Sequence, residues 1–295
     1  MLQFQNYPIY IVYSLHRQKA VKQQWNGYFR AKDAALDRAV AHLAGQEFGK
    51  VKRDMEVAGE NDRKIDAVIQ WQVIDDLEGK YKREIEAYQK AISKVLTTIS
   101  RTSIGKQLLS MIGGQKVYII PQESDGPART GLYSDEQGGG IRISFRPEYF
   151  SRVYIGPSSV GSAVEDTLFH ELVHAMRYSN NRYFPRNLSS PDFNHNSEEF
   201  IAEQLANVYH SSRGTSDFLS KYNGGYARKK QMYEYLEESS ELVYAIRFYL
   251  QSEPLAKFAA MLQQPAYNPF RDYKELEDKS YLRMFPSEDD PFKKP

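Results

Sequence analysis

Cysteine is absent from this sequence of 295 residues, which excludes disulfides and thiolate metal ligands. Histidine and carboxylate side chains are therefore the only strong candidates for binding a transition metal. The absence of disulfides is compatible with a reducing cytosol. It is equally compatible with a chain that crosses between compartments and meets either redox state.

Long apolar runs and an excess of charge of one sign are also missing. No run of about 18 apolar residues occurs, so no membrane-spanning helix is expected. The 39 basic and 38 acidic residues are interspersed and leave a net charge of +1. This balance indicates no general attraction to nucleic acid or to a membrane surface. Positions 1–13 lack a basic region followed by an apolar run and a cleavage site, so no Sec signal peptide is predicted.

The chain does contain a His-Glu-x-x-His pattern at positions 170–174, within a segment of helical periodicity. In a helix, His170 and His174 lie one turn apart on the same face, so both imidazoles can bind one zinc ion. Glu171 is then placed to act as the general base toward a water on that metal. The alternative interpretation is a helix with two ordinary polar or buried histidines.

A zinc peptidase needs a third protein ligand and one open coordination position. The metzincin pattern is excluded because Arg177 and Asn180 stand where glycine and histidine are required. A second helical segment supplies Glu199, the predicted third ligand, and Glu198 is its competitor because the pattern does not separate adjacent positions. Glu203, one turn further on, is predicted to hydrogen-bond a ligand histidine or the surroundings of Glu199. A solvated acidic helix start that complements the helix dipole is the alternative for this acidic pair.

The His170–His174 pattern followed by the segment Glu199–Glu203 resembles the gluzincin arrangement. Within that group, the chain is similar to bacterial effector zinc metallopeptidases delivered by type III and type VI secretion. It is more distantly similar to the catalytic domain of anthrax lethal factor. The resemblance implies a zincin-like fold, Zn²⁺ as cofactor and endopeptidase activity on a polypeptide of a target cell. It also implies an effector that waits in the producer's cytoplasm, is secreted without a Sec signal, and meets a secretion-machinery component or a chaperone.

The donor that would stabilise the oxyanion is left open. The lethal-factor-like pattern expects a tyrosine shortly before the ligand glutamate, but this chain has residues 192–194, Asp-Phe-Asn, in that region. His210 lies eleven residues after Glu199, on a similar helical face, and is one candidate. A supporting or surface position is the alternative for His210. Tyr178 and Tyr183 are further candidates.

Apolar periodicity predicts an α+β protein that is mainly α. Positions 1–104 are predicted to form an N-terminal helical region, positions 105–264 the zincin-like catalytic domain, and positions 265–295 a C-terminal tail. The predicted elements are a short strand near 9–13, helices at 31–44 and 62–100, strands at 117–120 and 141–145, and two helices within 226–263. The heptad-like spacing within 62–100 fits either a coiled-coil contact with a partner or packing in an N-terminal bundle.

The strand at 141–145 follows three glycines and precedes the zinc helix. In zincin-like folds, the strand before that helix lies at a sheet edge and pairs with an extended substrate through main-chain hydrogen bonds. The residues predicted to bind substrate in this way are Gly140, Ile141, Arg142 and Ile143.

The resulting hypothesis is a zinc-dependent endopeptidase. A zinc-dependent hydrolase of peptidoglycan crosslinks is an alternative, because delivered toxins often act on cell walls. A helical adaptor without enzymatic activity, carrying a fortuitous or decayed motif, is the second alternative.

Overall fold

The computed structural model describes residues 2–12, 83–122, 128–135, 138–147, 164–188, 196–215, 217–221 and 225–280. The chain divides into two compact units, one made of Met1–Ile11 and Ala91–Pro295 and the other of Val12–Lys90. In the second unit the described residues are 12 and 83–90, of which 83–90 are helical. The helix predicted at 31–44 and most of the one predicted at 62–100 lie outside the described residues.

The first unit is mixed α+β and mainly helical, so the predicted fold class is confirmed at that level. Its described elements, in chain order, are β1 (Leu2–Gln3), β2 (Ile9–Ile11), α1 (residues 91–100), α2 (Ser103–Met111), β3 (Val117–Pro121), β4 (Ala128–Asp135), β5 (Gly138–Phe145), α3 (Val164–Ser179), α4 (Ser197–Ser212), β6 (Asp217–Lys221), β7 (Gly225–Arg228), α5 (Lys229–Glu237), α6 (Ser240–Ser252), α7 (Pro254–Met261) and α8 (Tyr273–Lys279).

A small mixed sheet carries the strands in the order β1-β2-β3-β5-β4. Strands β2, β3 and β5 are parallel to one another, whereas β1 and β4 run antiparallel to their neighbours. Strands β6 and β7 form a separate hairpin. Helix α3 packs against β4 and β5, and α4 packs against α3.

Aliphatic rows cross the sheet because paired residues of neighbouring strands project from the same face. Ile11, Ile119 and Ile143 form one such row, and all three are fully buried. On β4 the row ends at Thr130, the register partner of Ile143. The buried row therefore continues into a polar residue, Thr130, on β4, the strand that packs against α3.

The prediction that the strand at 141–145 lies at a sheet edge is wrong. Strand β5 is paired with β3 on one side and with β4 on the other, from Ile141 to Phe145. Its main-chain groups are therefore already used within the sheet. Strand β4 is the edge strand on this side of the sheet, and β1 is the edge strand on the opposite side among the strands that the structure describes.

Gly140 has a structural reason to be glycine that does not involve a substrate. A Cβ atom there would lie 2.8 Å from the main-chain oxygen of Lys116 and 2.8 Å from a ring carbon of Tyr118. The predicted substrate role of Gly140, Ile141, Arg142 and Ile143 through strand addition therefore does not fit this sheet.

The predicted domain boundaries also need correction. Ile9–Ile11 pairs with β3, so the start of the chain belongs to the sheet and not to a helical region. At the other end, Tyr267 is fully buried, and its hydroxyl donates to Gln204 Oε1 at 2.5 Å. Residues 265–280 are thus part of the packed unit. Between 226 and 263 the chain forms three helices in place of two, and Pro254 begins the third.

Across the part of the chain that the structure describes, no helix combines the length and apolar character needed to cross a bilayer.

Candidate metal centre

One face of α3 carries four polar side chains toward α4. They are spaced by four, four and three residues, which is the spacing that aligns side chains along one side of a helix: Asp166, His170, His174 and Arg177. Near the start of α3, Asp166 meets His210 from the end of α4. Near the end of α3, Arg177 meets Glu198 from the start of α4. The two helices therefore run antiparallel, with the histidine pair between two charged contacts.

The ring nitrogens of the histidine pair converge on one carboxylate of α4. His170 Nε2 lies 3.1 Å from Glu199 Oε2, and His174 Nε2 lies 3.3 Å from Glu199 Oε1. The two Nε2 atoms are 3.0 Å apart. This is the group of described residues whose ligand atoms can share a metal ion.

These distances are close to those between the ligand atoms of a tetrahedral zinc site, with the two histidines approaching different oxygens of Glu199. Zinc-to-nitrogen and zinc-to-oxygen bonds of about 2.0–2.1 Å place tetrahedral ligand atoms about 3.3 Å apart. The three observed separations are 3.0, 3.1 and 3.3 Å. Lone-pair atoms this close repel one another unless a proton or a cation lies between them, so a hydrogen-bonded proton or a bound metal ion would each stabilise the cluster.

The electrostatics of the cluster keep its carboxylate ionised. Burial favours the neutral form of Glu199, but hydrogen bonds to His170 and His174 hold its pKa below the ordinary 4.5. Burial lowers the pKa of His174, whereas Glu199 and the negative charge of Glu171 raise it, with a net rise above 6.5. Glu199 is thus in the charged form that binds metal, and the excess negative charge around His174 favours a cation.

Two of the three side chains of the cluster are partly exposed to solvent. The side chains of His170 and Glu199 are 18% and 23% exposed, while that of His174 is 6% exposed. A structural zinc site is closed, whereas a catalytic one keeps a position open to water. The exposure of two of the three side chains fits the open type.

Glu199 is the glutamate that converges with the histidines, and Glu198 is not. The carboxylate of Glu198 accepts from Arg177 Nε at 2.5 Å and from the Phe184 main-chain N–H at 2.8 Å. It is fully buried. Adjacent residues of a helix point about 100° apart, so one glutamate faces the histidines while the other faces Arg177.

Helix α4 begins where it does because Asn196 caps it. The Asn196 side chain accepts from the Glu198 main-chain N–H at 2.8 Å. The cap lies just before the two glutamates, so the carboxylates occupy the first turn, where the helix dipole stabilises negative charge.

Glu171 contacts a residue that the sequence did not single out. The hydroxyl of Thr130 lies 2.5 Å from Glu171 Oε2 and 3.1 Å from the Glu171 main-chain oxygen. The sequence carried little signal for this strand, because Gly131 interrupts the apolar–polar alternation expected within 128–132.

Glu203 does not make the predicted hydrogen bond through its Oε1 atom. Both Glu203 Oε1 and His174 Nδ1 are buried without a partner in the described part of the chain. Burial and the charge of Glu199 hold the pKa of Glu203 well above 4.5, so its protonated form is favoured. The charge of Glu199 thus acts on Glu203, which is a different relation from the hydrogen bond that the sequence predicted.

His210 is buried and paired away from the metal candidates. Its Nδ1 lies 2.9 Å from Asp166 Oδ2, and the residue is 1% exposed. A substrate oxygen needs an accessible donor, so the oxyanion role predicted for His210 does not fit, and neither does the surface alternative.

Tyr183 lies beside the histidine cluster because the chain reverses direction after helix α3. Helix α3 ends in a Schellman motif, with Asn181 at a φ of 55° and the Arg182 N–H donating to Arg177 O at 2.8 Å. The reversed chain stacks Tyr183 on Tyr178 at 3.8 Å and sets it edge-on to His174 at 6.0 Å between ring centroids. Burial and a hydrogen bond to Tyr178 raise the pKa of Tyr183, so it keeps its proton.

Residues 192–194, where the resemblance expects a tyrosine, lie outside the described residues. Comparison with protein-family models, with curated proteins and with solved structures found no match for this chain.

Proposed function

We propose that the chain is a zinc-dependent endopeptidase of the zincin type. The observation that carries the proposal is the convergence of His170, His174 and Glu199 at separations of 3.0–3.3 Å, with two of the three side chains partly exposed to solvent. The resemblance to secreted bacterial effector peptidases supports the same reaction class. Delivery to a target cell, without a Sec signal, is part of this proposal.

A zinc ion held by these three side chains would supply Lewis acidity to a carbonyl oxygen and lower the pKa of a water molecule toward neutrality. Glu171 follows the first histidine and acts as the general base, taking the proton of the attacking water. The same carboxyl then passes that proton to the leaving amine. Tyr183 keeps its proton and is the donor assigned to the oxyanion.

The substrate is an extended polypeptide paired with the edge of β4. This strand lies beside α3, and its outer side has no strand partner within the described chain. Main-chain hydrogen bonds to a sheet edge give affinity for any extended segment, and pockets for alternate side chains give selectivity. Leu132, 65% exposed on β4, is available for an apolar contact with such a segment.

The decisive experiment compares wild type with E171Q, using E234Q as the matched control. Glu234 lies on α5, and its side chain is 51% exposed. Each protein is loaded with zinc and incubated with an unfolded polypeptide and, separately, with peptidoglycan sacculi. Wild type and E234Q are expected to cleave the polypeptide, and E171Q is expected to bind one equivalent of zinc without cleaving.

Three results would contradict the proposal. Unchanged turnover in E171Q would remove Glu171 as the base. Release of muropeptides without polypeptide cleavage would favour the cell-wall alternative. Failure of the folded protein to retain zinc would favour the adaptor.

A further inference from the structure

We infer that Thr130 is a positioning residue for Glu171, holding one carboxylate oxygen so that the other faces the attacking water. The inference rests on the proposed function, because it takes Glu171 as the general base. It concerns a residue of the edge strand that lies outside the His-Glu-x-x-His pattern.

The distances determine where the hydroxyl proton of Thr130 goes. The hydroxyl has a single proton and two neighbouring acceptors, Glu171 Oε2 at 2.5 Å and the Glu171 main-chain oxygen at 3.1 Å. A short contact between a hydroxyl and an ionised carboxylate is the stronger, charge-assisted bond. If the proton pointed elsewhere, two oxygens would face each other at 2.5 Å without a proton between them.

Both ends of this hydrogen bond belong to rigid elements. Thr130 is paired with Ile143 in the buried row of the sheet, and its β-branched side chain has few rotamers. Glu171 lies on α3 and is 8% exposed. A carboxylate can accept through both oxygens. Among the described residues, Thr130 is the one that donates to this carboxylate, so Oε1 is left for the reaction.

The position of Thr130 also links the base to the substrate. The proposed substrate pairs with the outer edge of β4, and the inner face of the same strand holds Glu171. A displacement of β4 would therefore move the scissile bond and the base together. Effective catalysis requires this relation to be held closely, because a misplacement of about 1 Å can cost roughly a hundredfold in rate.

The test compares T130V, which keeps the shape but loses the hydroxyl, with T130S, which keeps the hydroxyl. T98V is the matched control, since Thr98 lies on α1 and its hydroxyl bonds only locally, to the Lys94 main-chain oxygen. T130V is expected to lower kcat roughly 10- to 100-fold with unchanged zinc content and a nearly constant KM. The kcat values of T130S and T98V are expected to stay within about threefold of wild type. The loss expected for T130V is clearly larger than this range.

A second readout does not depend on activity. Crystal structures of the zinc-free proteins should show a single Glu171 rotamer in wild type and in T130S. In T130V, Glu171 should adopt a different rotamer or several rotamers. A T130V enzyme with wild-type kcat, or with the wild-type Glu171 rotamer, would overturn the inference. So would loss of zinc or of folding in T130V, which would make the role structural. If wild type cleaves nothing, the proposed function fails, and the rotamer comparison still decides whether Thr130 holds Glu171.

Discussion

Replacing Arg177 by methionine tests how the two helices of the candidate metal centre are held together. Arg177 is 5% exposed and donates to Glu198 through Nε at 2.5 Å and Nη2 at 2.8 Å. Its Nη1 contacts Glu253, and Nη2 also donates to the Arg182 main-chain oxygen at 2.6 Å. Glu198 and Glu253 are both fully buried. The substitution therefore leaves the buried Glu198 without its cation and leaves Glu253 with only the more distant Arg182.

Removing one partner of a buried ion pair costs about 3–5 kcal/mol, and R177M is expected to lower the free energy of unfolding by that amount. R182M is the control. The Arg182 side chain is 41% exposed and 3.5 Å from Glu253. Because the Arg182 end of this longer contact is exposed to solvent, its loss is expected to cost less than the loss of Arg177, about 1 kcal/mol. R177K keeps the charge but loses the planar fork, so it should fall between the two.

Urea unfolding of the zinc-free proteins, followed by far-UV circular dichroism, measures these differences. Arg177 comes three residues after His174, and Glu198 directly precedes Glu199. R177M is therefore also expected to weaken zinc binding roughly 10- to 100-fold in a chelator competition. Equal unfolding free energies for R177M and R182M, or zinc affinity in R177M equal to that of wild type, would refute this account of the ion pair.

Four further predictions concern other groups of the site. D166N removes the charge that faces His210 and should cost about 2 kcal/mol in urea unfolding, with zinc affinity unchanged; a loss of zinc would contradict the separation of the two ends of α3. The folded-state pKa of Glu203 is raised, so its contribution to stability is lost as the pH rises. Zinc-free E203Q should therefore unfold at a higher urea concentration than wild type at neutral pH, and the gain should vanish below about pH 4.5; a gain independent of pH would argue against this. Y183F is expected to lower kcat roughly a hundredfold without loss of zinc, and unchanged turnover would remove Tyr183 from the oxyanion. The pKa of His174 is raised above 6.5, so chelator competition should show zinc affinity falling as the pH drops through that raised value. Constant affinity down to pH 5 would count against imidazole ligation.

The local part of the site could be predicted from sequence because helical spacing is a local property. The spacing of four places His170 and His174 on one face whatever surrounds the helix. The spacing of the second helix likewise places one glutamate of the pair Glu198–Glu199 on the side that faces the histidines. Choosing between Glu199 and Glu198 required the contact of Glu198 with Arg177, which lies 21 residues before Glu198 in the chain.

The parts that were missed depend on contacts between distant segments. Whether β5 is an edge or an interior strand is decided by β4, whose alternating pattern is broken by Gly131. The role of Thr130 appears only when β4 lies against α3. The position of His210 away from the metal candidates similarly depends on its contact with Asp166, which lies 44 residues earlier in the chain.

The central claim is that one metal ion is held between His170, His174 and Glu199. An anomalous difference map, measured on either side of the zinc absorption edge from crystals of the zinc-loaded protein, tests it directly. A single strong peak is expected about 2.0–2.1 Å from both Nε2 atoms and from a Glu199 oxygen. A folded protein with no peak at these atoms, or with its zinc bound at other residues, would contradict it.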